Sequence, residues 1–207
     1  MDRRSHWETV YHTNQATEVS WFEAEPATSL ALIQSVAPEG GKIIDVGGGA
    51  SLLVDRLVAA GNWDVTVLDV SATALEVAQA RLQDKADRVQ WIQADITEVL
   101  QLDGYDVWHD RAVFHFLTAT EDRASYLARL HRALRPGGHV VLGTFALQGP
   151  EKCSGLPVCR YDVQSLATTL GANYSLVQQL EHSHLTPGGK AQLFTFAVFR
   201  KLVHTMH

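Results

Sequence analysis

Lys42-Ile-Ile-Asp45-Val-Gly47-Gly48-Gly49-Ala-Ser51 decides how this chain is read. A short apolar run meets an acid and then three consecutive glycines. Leu52-Leu53-Val54 and Leu57-Val58 follow at helical spacing, which predicts a buried parallel strand, a tight turn and a helix start. Glycine lacks a Cβ, so its backbone amides can press against a ligand, and positive φ costs it nothing. Free amides at a helix start favour anions or polar ligand edges.

Outward from that turn the pattern repeats. Strands are expected over 42–46, 64–69, 89–92, 105–108 and 139–144. Helices are expected over 27–36, 50–60, 72–83, 120–134 and 162–170, with Ser71 as an N-cap. Two alternating runs, 174–183 and 191–200, flank Thr186-Pro187-Gly188-Gly189, a hairpin signature. The expected fold is α/β: a doubly wound, Rossmann-like sheet of seven strands, mostly parallel, with the last strand reversed and at the sheet edge. One domain over 1–207 is expected. Residues 1–27, with Trp7, Tyr11, Trp21 and Phe22, would form an aromatic arm over the site.

Composition removes several function classes. A net charge of −6 argues against a nucleic-acid surface. No apolar run approaches the roughly 20 residues of a membrane span, and the first residues lack the apolar core of a secretory signal. Two cysteines, Cys153 and Cys159, are too few to staple a fold, so a reduced, cytoplasmic protein is expected, monomeric or weakly dimeric. His182, His184, His204 and His207 read as solvated edge or tail residues, and no metal site is expected.

In open α/β sheets ligands bind beyond the carboxyl ends of the strands. Asp69 stands there, 24 residues after Asp45, with Val70 beside it, and a carboxylate at that place can accept both ribose hydroxyls. Ala94-Asp95-Ile96 ends the third strand and could take an adenine edge. A dinucleotide fingerprint would want glycine where Leu52 stands.

Asp45-Val46-Gly47-Gly48-Gly49-Ala50-Ser51, Asp69, Ala94-Asp95-Ile96, Leu134-Arg135-Pro136-Gly137-Gly138 and the final hairpin together resemble the class I S-adenosylmethionine-dependent methyltransferases, over roughly residues 28–200. The resemblance implies S-adenosyl-L-methionine as cofactor and S-adenosyl-L-homocysteine as product. It places Asp69 on the ribose, Asp95 on the adenine and Gly47 to Gly49 on the methionine part. Asp45, Ser51, Val70, Ala94, Ile96 and His109 complete the cofactor set.

A small-molecule methyl acceptor is expected, seated between the arm, the loop after the fourth strand and the loop after the fifth. His109-Asp110-Arg111-Ala112-Val113-Phe114-His115-Phe116-Leu117 and Gly149-Pro150 to Val158 resemble the thiopurine, thiol and halide methyltransferases. That resemblance implies Asp110 and Arg111 in the chemistry and Trp7, Tyr11, Trp21, Phe22, Arg111 and Phe114 around the acceptor. His109 and His115 could position the acceptor or act as modest bases, and Cys153, an insertion relative to that family's loop, could contact a soft acceptor. A thiol of ordinary pKa near 8.5 needs little help from a base, whereas a lysine must first lose its proton. The acceptor is therefore expected to be a thiol or other soft nucleophile. Asp110-Arg111 also resembles the acid–base pair of some protein-lysine methyltransferases, which stays open as an alternative. A metalloid methyltransferase and a cofactor-binding module without activity are further alternatives.

Overall fold

The computed structural model describes residues 2–99 and 101–203, so His204 and His207 lie outside the described residues. In chain order the elements are α1 (Arg3–Thr13), α2 (Ala27–Val36), β1 (Gly41–Val46), α3 (Leu53–Ala60), β2 (Trp63–Asp69), α4 (Ala72–Leu82), β3 (Val89–Gln93), β4 (Tyr105–Arg111), α5 (Thr120–Ala133), β5 (Leu134–Phe145), β6 (Lys152–Cys153), β7 (Leu156–Pro157), α6 (Val163–Leu170), β8 (Tyr174–Leu185) and β9 (Ala191–Lys201). Seven strands form one sheet in the order β3-β2-β1-β4-β5-β9-β8. The first five are parallel, and β9 runs antiparallel to both β5 and β8.

Two expectations about this sheet need correction. The reversed strand is not at the edge: β9 is inserted between β5 and β8, and β8 forms the edge. Burial explains the order. Phe194, Phe196, Ala197, Val198 and Phe199 of β9 are fully buried, whereas β8 is largely exposed, so the more apolar run takes the interior place. The loop after β5 also contains an unexpected ribbon of β6 against β7. Its turn residues Ser154 and Gly155 both have positive φ, 51° and 79°, which suits a two-residue hairpin loop.

Alternate residues of the central strands feed two cores. Ile43, Val65, Val107 and Val141 face the layer of α2, α3 and α4, while Ile44, Trp108, Val140 and Leu142 face α5 and α6. Burying each such side chain contributes about 1.5–3 kcal/mol. A polar tie crosses the second core: Trp108 Nε1 donates to Tyr126 Oη at 2.8 Å, and that hydroxyl donates to Asp110 at 2.7 Å. Ser71 caps α4 by accepting from the Ala74 amide, as expected. Among the described residues no helix is long and apolar enough to cross a membrane.

Gly143 of β5 lies beneath the Phe196 ring, and a Cβ there would come within 2.6 Å of it. Gly143→Ala should therefore destabilise the fold by about 1–3 kcal/mol through overpacking. Urea unfolding checks this, and Gly61→Ala, where a Cβ meets nothing within 4 Å, shows the smaller cost of its left-handed φ alone.

Candidate functional site

The carboxyl ends of β1, β2 and β4 and the turn after β3 meet on one rim, under α1 and the segment that follows it. Two adjoining cavities lie there, of about 100 Å³ and about 50 Å³. Asp69, Val70, Ala94, Asp95 and Ile96 line one side of the larger, and Trp7, Tyr11, Trp21, Phe116, Arg111 and Cys153 the other. The smaller is walled by Asp45, Gly48, Ser51, His109 and Phe22, with Tyr11, Trp21, Gly47 and Arg111 shared between the two.

The glycine turn is shaped by its surroundings. Gly47 has a φ of 69° and donates its amide to the Leu68 carbonyl at 2.6 Å; a side chain on it would fall on Val113. Gly49 also has positive φ, and a Cβ there would press on the Asp69 carboxylate. Both positions therefore need glycine. Ser51 accepts from the Leu53 amide at 3.1 Å, and Arg81 of α4 holds the Ala50 and Ser51 carbonyls. Helix α3 accordingly starts at Leu53 rather than residue 50.

The acids on the rim differ in state. Burial, helped by Asp45 and Glu8, pushes Asp69 up to about 7, against hydrogen bonds from the Ser71 and Val70 amides. For Asp95 burial also pushes up, but hydrogen bonds from Thr97 and the Arg3 guanidinium overcome it and hold the carboxyl below its ordinary range. Glu8 sits on the N-terminus of α4, accepting from Ala72 N at 2.6 Å, Thr73 N at 3.3 Å and Ser71 Oγ at 3.1 Å. Arg3 bonds Asp95 at 2.9 Å and pairs with Asp122. These two contacts tie α1 across the rim. Trp7 then meets Trp21 and Phe116 edge-to-face, with ring centroids 5.5 and 5.0 Å apart.

Three residues expected in the chemistry or around the acceptor are elsewhere. Asp110 is fully buried and lines neither cavity. Its carboxylate accepts from the Val113 and Phe114 amides and the Tyr126 hydroxyl, holding the turn after β4. His115 is fully buried as well, with Nδ1 accepting from the Phe145 amide at 3.3 Å; burial and Arg111 push it down to about 3, too weak a base for work near neutrality. Phe114 packs between Tyr126 and Tyr161 in the core, and Phe116 takes the cavity place instead. Ala112 explains the difference: its left-handed φ of 69° turns the chain so that Arg111 and Val113 face the cavity and Phe114 faces inward.

His109 accepts no visitor at its ring nitrogens: Nδ1 is 2.6 Å from Asp45 and Nε2 is 2.9 Å from Ser29 Oγ. Arg111 donates to the Trp21 carbonyl, lies 3.0 Å from Glu23 and stacks over Phe194. Cys153 is buried, its thiol pushed up by burial, with Ser20 Oγ 4.0 Å away. His184, read as solvated, is buried and bonds the Ser20 carbonyl at 2.8 Å. Sequence reading missed Arg3, Glu8, Ser29 and Phe116. Only Phe116, two residues from Phe114, had a neighbouring signal.

Residues 44–140 match the family model described as a methyltransferase domain. Over 121 residues the chain is 30% identical to the ubiquinone/menaquinone biosynthesis C-methyltransferase of Coxiella burnetii, covering 56% of this chain and 47% of that protein. The chain thus spans about half the length of the curated relatives it matches. Two solved structures have the same fold. A protein studied in the conversion of a disulfide bond into a thioacetal group during echinomycin biosynthesis is 17% identical, with a TM-score of 0.80 over 99% of this chain and 94% of that one. The 1,6-didemethyltoxoflavin-N1-methyltransferase of Burkholderia thailandensis, solved with its substrate and S-adenosylhomocysteine, is 19% identical, with a TM-score of 0.76 over 97% of this chain and 87% of that one. The glycine turn, Asp69 and Asp95 all lie inside the segment that matches the methyltransferase-domain model.

Asp110→Ala would leave two amides and a hydroxyl without their acceptor and should cost about 2–4 kcal/mol of stability. Urea unfolding reads that loss. The folded fraction should keep its ligand affinity, since Asp110 touches neither cavity.

Proposed function

We propose that this chain transfers the methyl group of S-adenosyl-L-methionine to a small-molecule acceptor, with a thiol or other soft nucleophile preferred. The observation that carries the reading is that two acids, Asp69 and Asp95, line one cavity together with Val70, Ala94 and Ile96. A nucleoside fits that wall: Asp69 would accept its ribose hydroxyls, and Asp95, with Ala94 and Ile96, its adenine edge. The glycine turn and Asp45 Oδ2, buried without a hydrogen-bond partner, would hold the methionine part. The cofactor supplies a methyl group already activated on a sulfonium, so the protein's task is positioning and exclusion of water.

The preference for a soft acceptor rests on what borders the far side of the larger cavity. Trp7, Trp21 and Phe116 give it apolar walls, with Arg111, Cys153 and the Tyr11 phenol among the lining groups, while Arg3, which also lines the cavity, is engaged by Asp95 and Asp122. Burial pushes Tyr11 upward, Asp110 and His115 are withdrawn, and His109 is engaged at both nitrogens. An acceptor that needs no deprotonation by the protein suits such a wall. The protein-lysine alternative drew on Asp110 facing the acceptor, and that carboxylate is inside the domain. Residues 1–27 would act as the lid of a single domain, fastened by Arg3 and Glu8. The protein would work in the cytoplasm as a monomer or weak dimer.

The buried state of Asp69 gives a pH test. Ribose hydroxyls donate to the ionised carboxylate, so binding lowers its proton affinity, and below about pH 7 a proton must leave. Affinity for S-adenosylhomocysteine should fall by up to about tenfold per pH unit below that point and level off above it. Asp69→Asn should bind more weakly at pH 8 and lose this dependence, as isothermal calorimetry would show. For the acceptor, S-adenosylhomocysteine release is measured with sulfide, small thiols, halides, metalloid oxyanions, amines and a protein lysate. Turnover with thiols is expected; turnover confined to the lysate would overturn the small-molecule reading.

A further inference from the structure

On the cofactor reading above, we infer that Ser29 and His109 are positioning residues that set the cofactor-facing oxygen of Asp45. The three side chains form one buried chain, each at most 3% exposed. A carboxylate only accepts hydrogen bonds, so His109 Nδ1 carries the proton it shares with Asp45 Oδ1 at 2.6 Å. In the neutral ring Nε2 is then the acceptor, and the Ser29 hydroxyl, 2.9 Å away, donates to it. Ser29 comes from α2, His109 from β4 and Asp45 from β1, so three separate elements fix one carboxylate plane.

The consequence is at the other oxygen. Asp45 Oδ2 is buried and has no hydrogen-bond partner among the described residues, yet Asp45, His109 and Ser29 all border the smaller cavity beside Gly47 and Gly48. A buried, unpaired carboxylate oxygen is costly to keep unless a cation or donor meets it. The glycine turn places the amino-acid tail of the cofactor there, and its ammonium is the donor of matching charge. The His109 ring nitrogens and the Ser29 hydroxyl are engaged with Asp45 and with each other, so their hydrogen bonds are directed at Asp45. They act by stopping Asp45 from rotating toward a different partner, as outer residues fix metal ligands.

The test separates this role from ordinary packing by using two ligands. S-Adenosylhomocysteine carries the amino-acid tail, whereas 5′-methylthioadenosine has the same nucleoside without it. Calorimetry is run with both on the intact chain and on Ser29→Ala, Ser29→Thr, His109→Asn and His109→Phe. Ser29→Ala and His109→Phe should weaken S-adenosylhomocysteine by about tenfold or more, and 5′-methylthioadenosine by less than about twofold. Ser29→Thr keeps the hydroxyl and His109→Asn keeps a donor toward Asp45, so both should restore most of the affinity. Equal weakening of the two ligands would assign these residues to packing alone, and no weakening of either would remove the role; both results overturn the inference. If the intact chain binds neither ligand, the cofactor reading itself fails, a result seen before any variant is made.

Discussion

The parallel register of β1 between β2 and β4 is the constraint on which the site depends. It sets Asp45 beside Val67 on one side and His109 on the other, and brings the ends of all three strands to one rim. Both faces of these strands are buried, so a one-residue slip would exchange the two cores and lift Asp45 off its partner. Burial, and to a smaller extent the charges of Asp45 and Glu8, push Asp69, one of the acids gathered by that register, up to about 7. The rim thus carries buried acids. A ligand carrying a sulfonium and an ammonium suits it, which is the physical sense in which the fold favours that cofactor.

The arm is fastened differently from the sheet. Helix α1 is tied by Arg3 to Asp95 and Asp122, by Glu8 to the start of α4 and by edge-to-face rings around Trp7. The segment after it is tied through Glu23 and the Trp21 carbonyl to Arg111 and through the Ser20 carbonyl to His184. Helix α1 has no fully buried residue. Partly exposed ion pairs such as Arg3–Asp95 contribute about 0–1 kcal/mol each. Helix α1 is therefore held by weak contacts, those of Arg3 to Asp95 and of Trp7 to Trp21 and Phe116 reaching residues that border the cavity, an arrangement that would let it release and close again with ligand exchange.

Most of the sheet was legible because strand–helix alternation is a local signal. Ile43-Ile44, the three glycines and the ends at Asp69 and Asp95 each sit within a few residues of what marks them. Phe114 and His115 were misplaced because of a backbone turn that the residue types do not reveal. The positive φ of Ala112, which no neighbouring glycine announces, decides which of the following side chains face the cavity. Ser29 and Glu8 were invisible for a non-local reason: each meets a partner 80 or 63 to 65 residues away, and neither belongs to a pattern in its own helix. The place of β9 inside the sheet needed the comparison of two strands' burial, which alternation in one strand does not contain.

The central claim is that this rim seats S-adenosylmethionine with its nucleoside on β2 and β3. A crystal structure with S-adenosylhomocysteine tests it most directly. The account predicts the ribose hydroxyls on Asp69, the adenine beside Asp95 and Ile96, and the amino-acid tail over the glycine turn beneath the closed arm. A ligand seated elsewhere, or with its nucleoside away from Asp69, would contradict it.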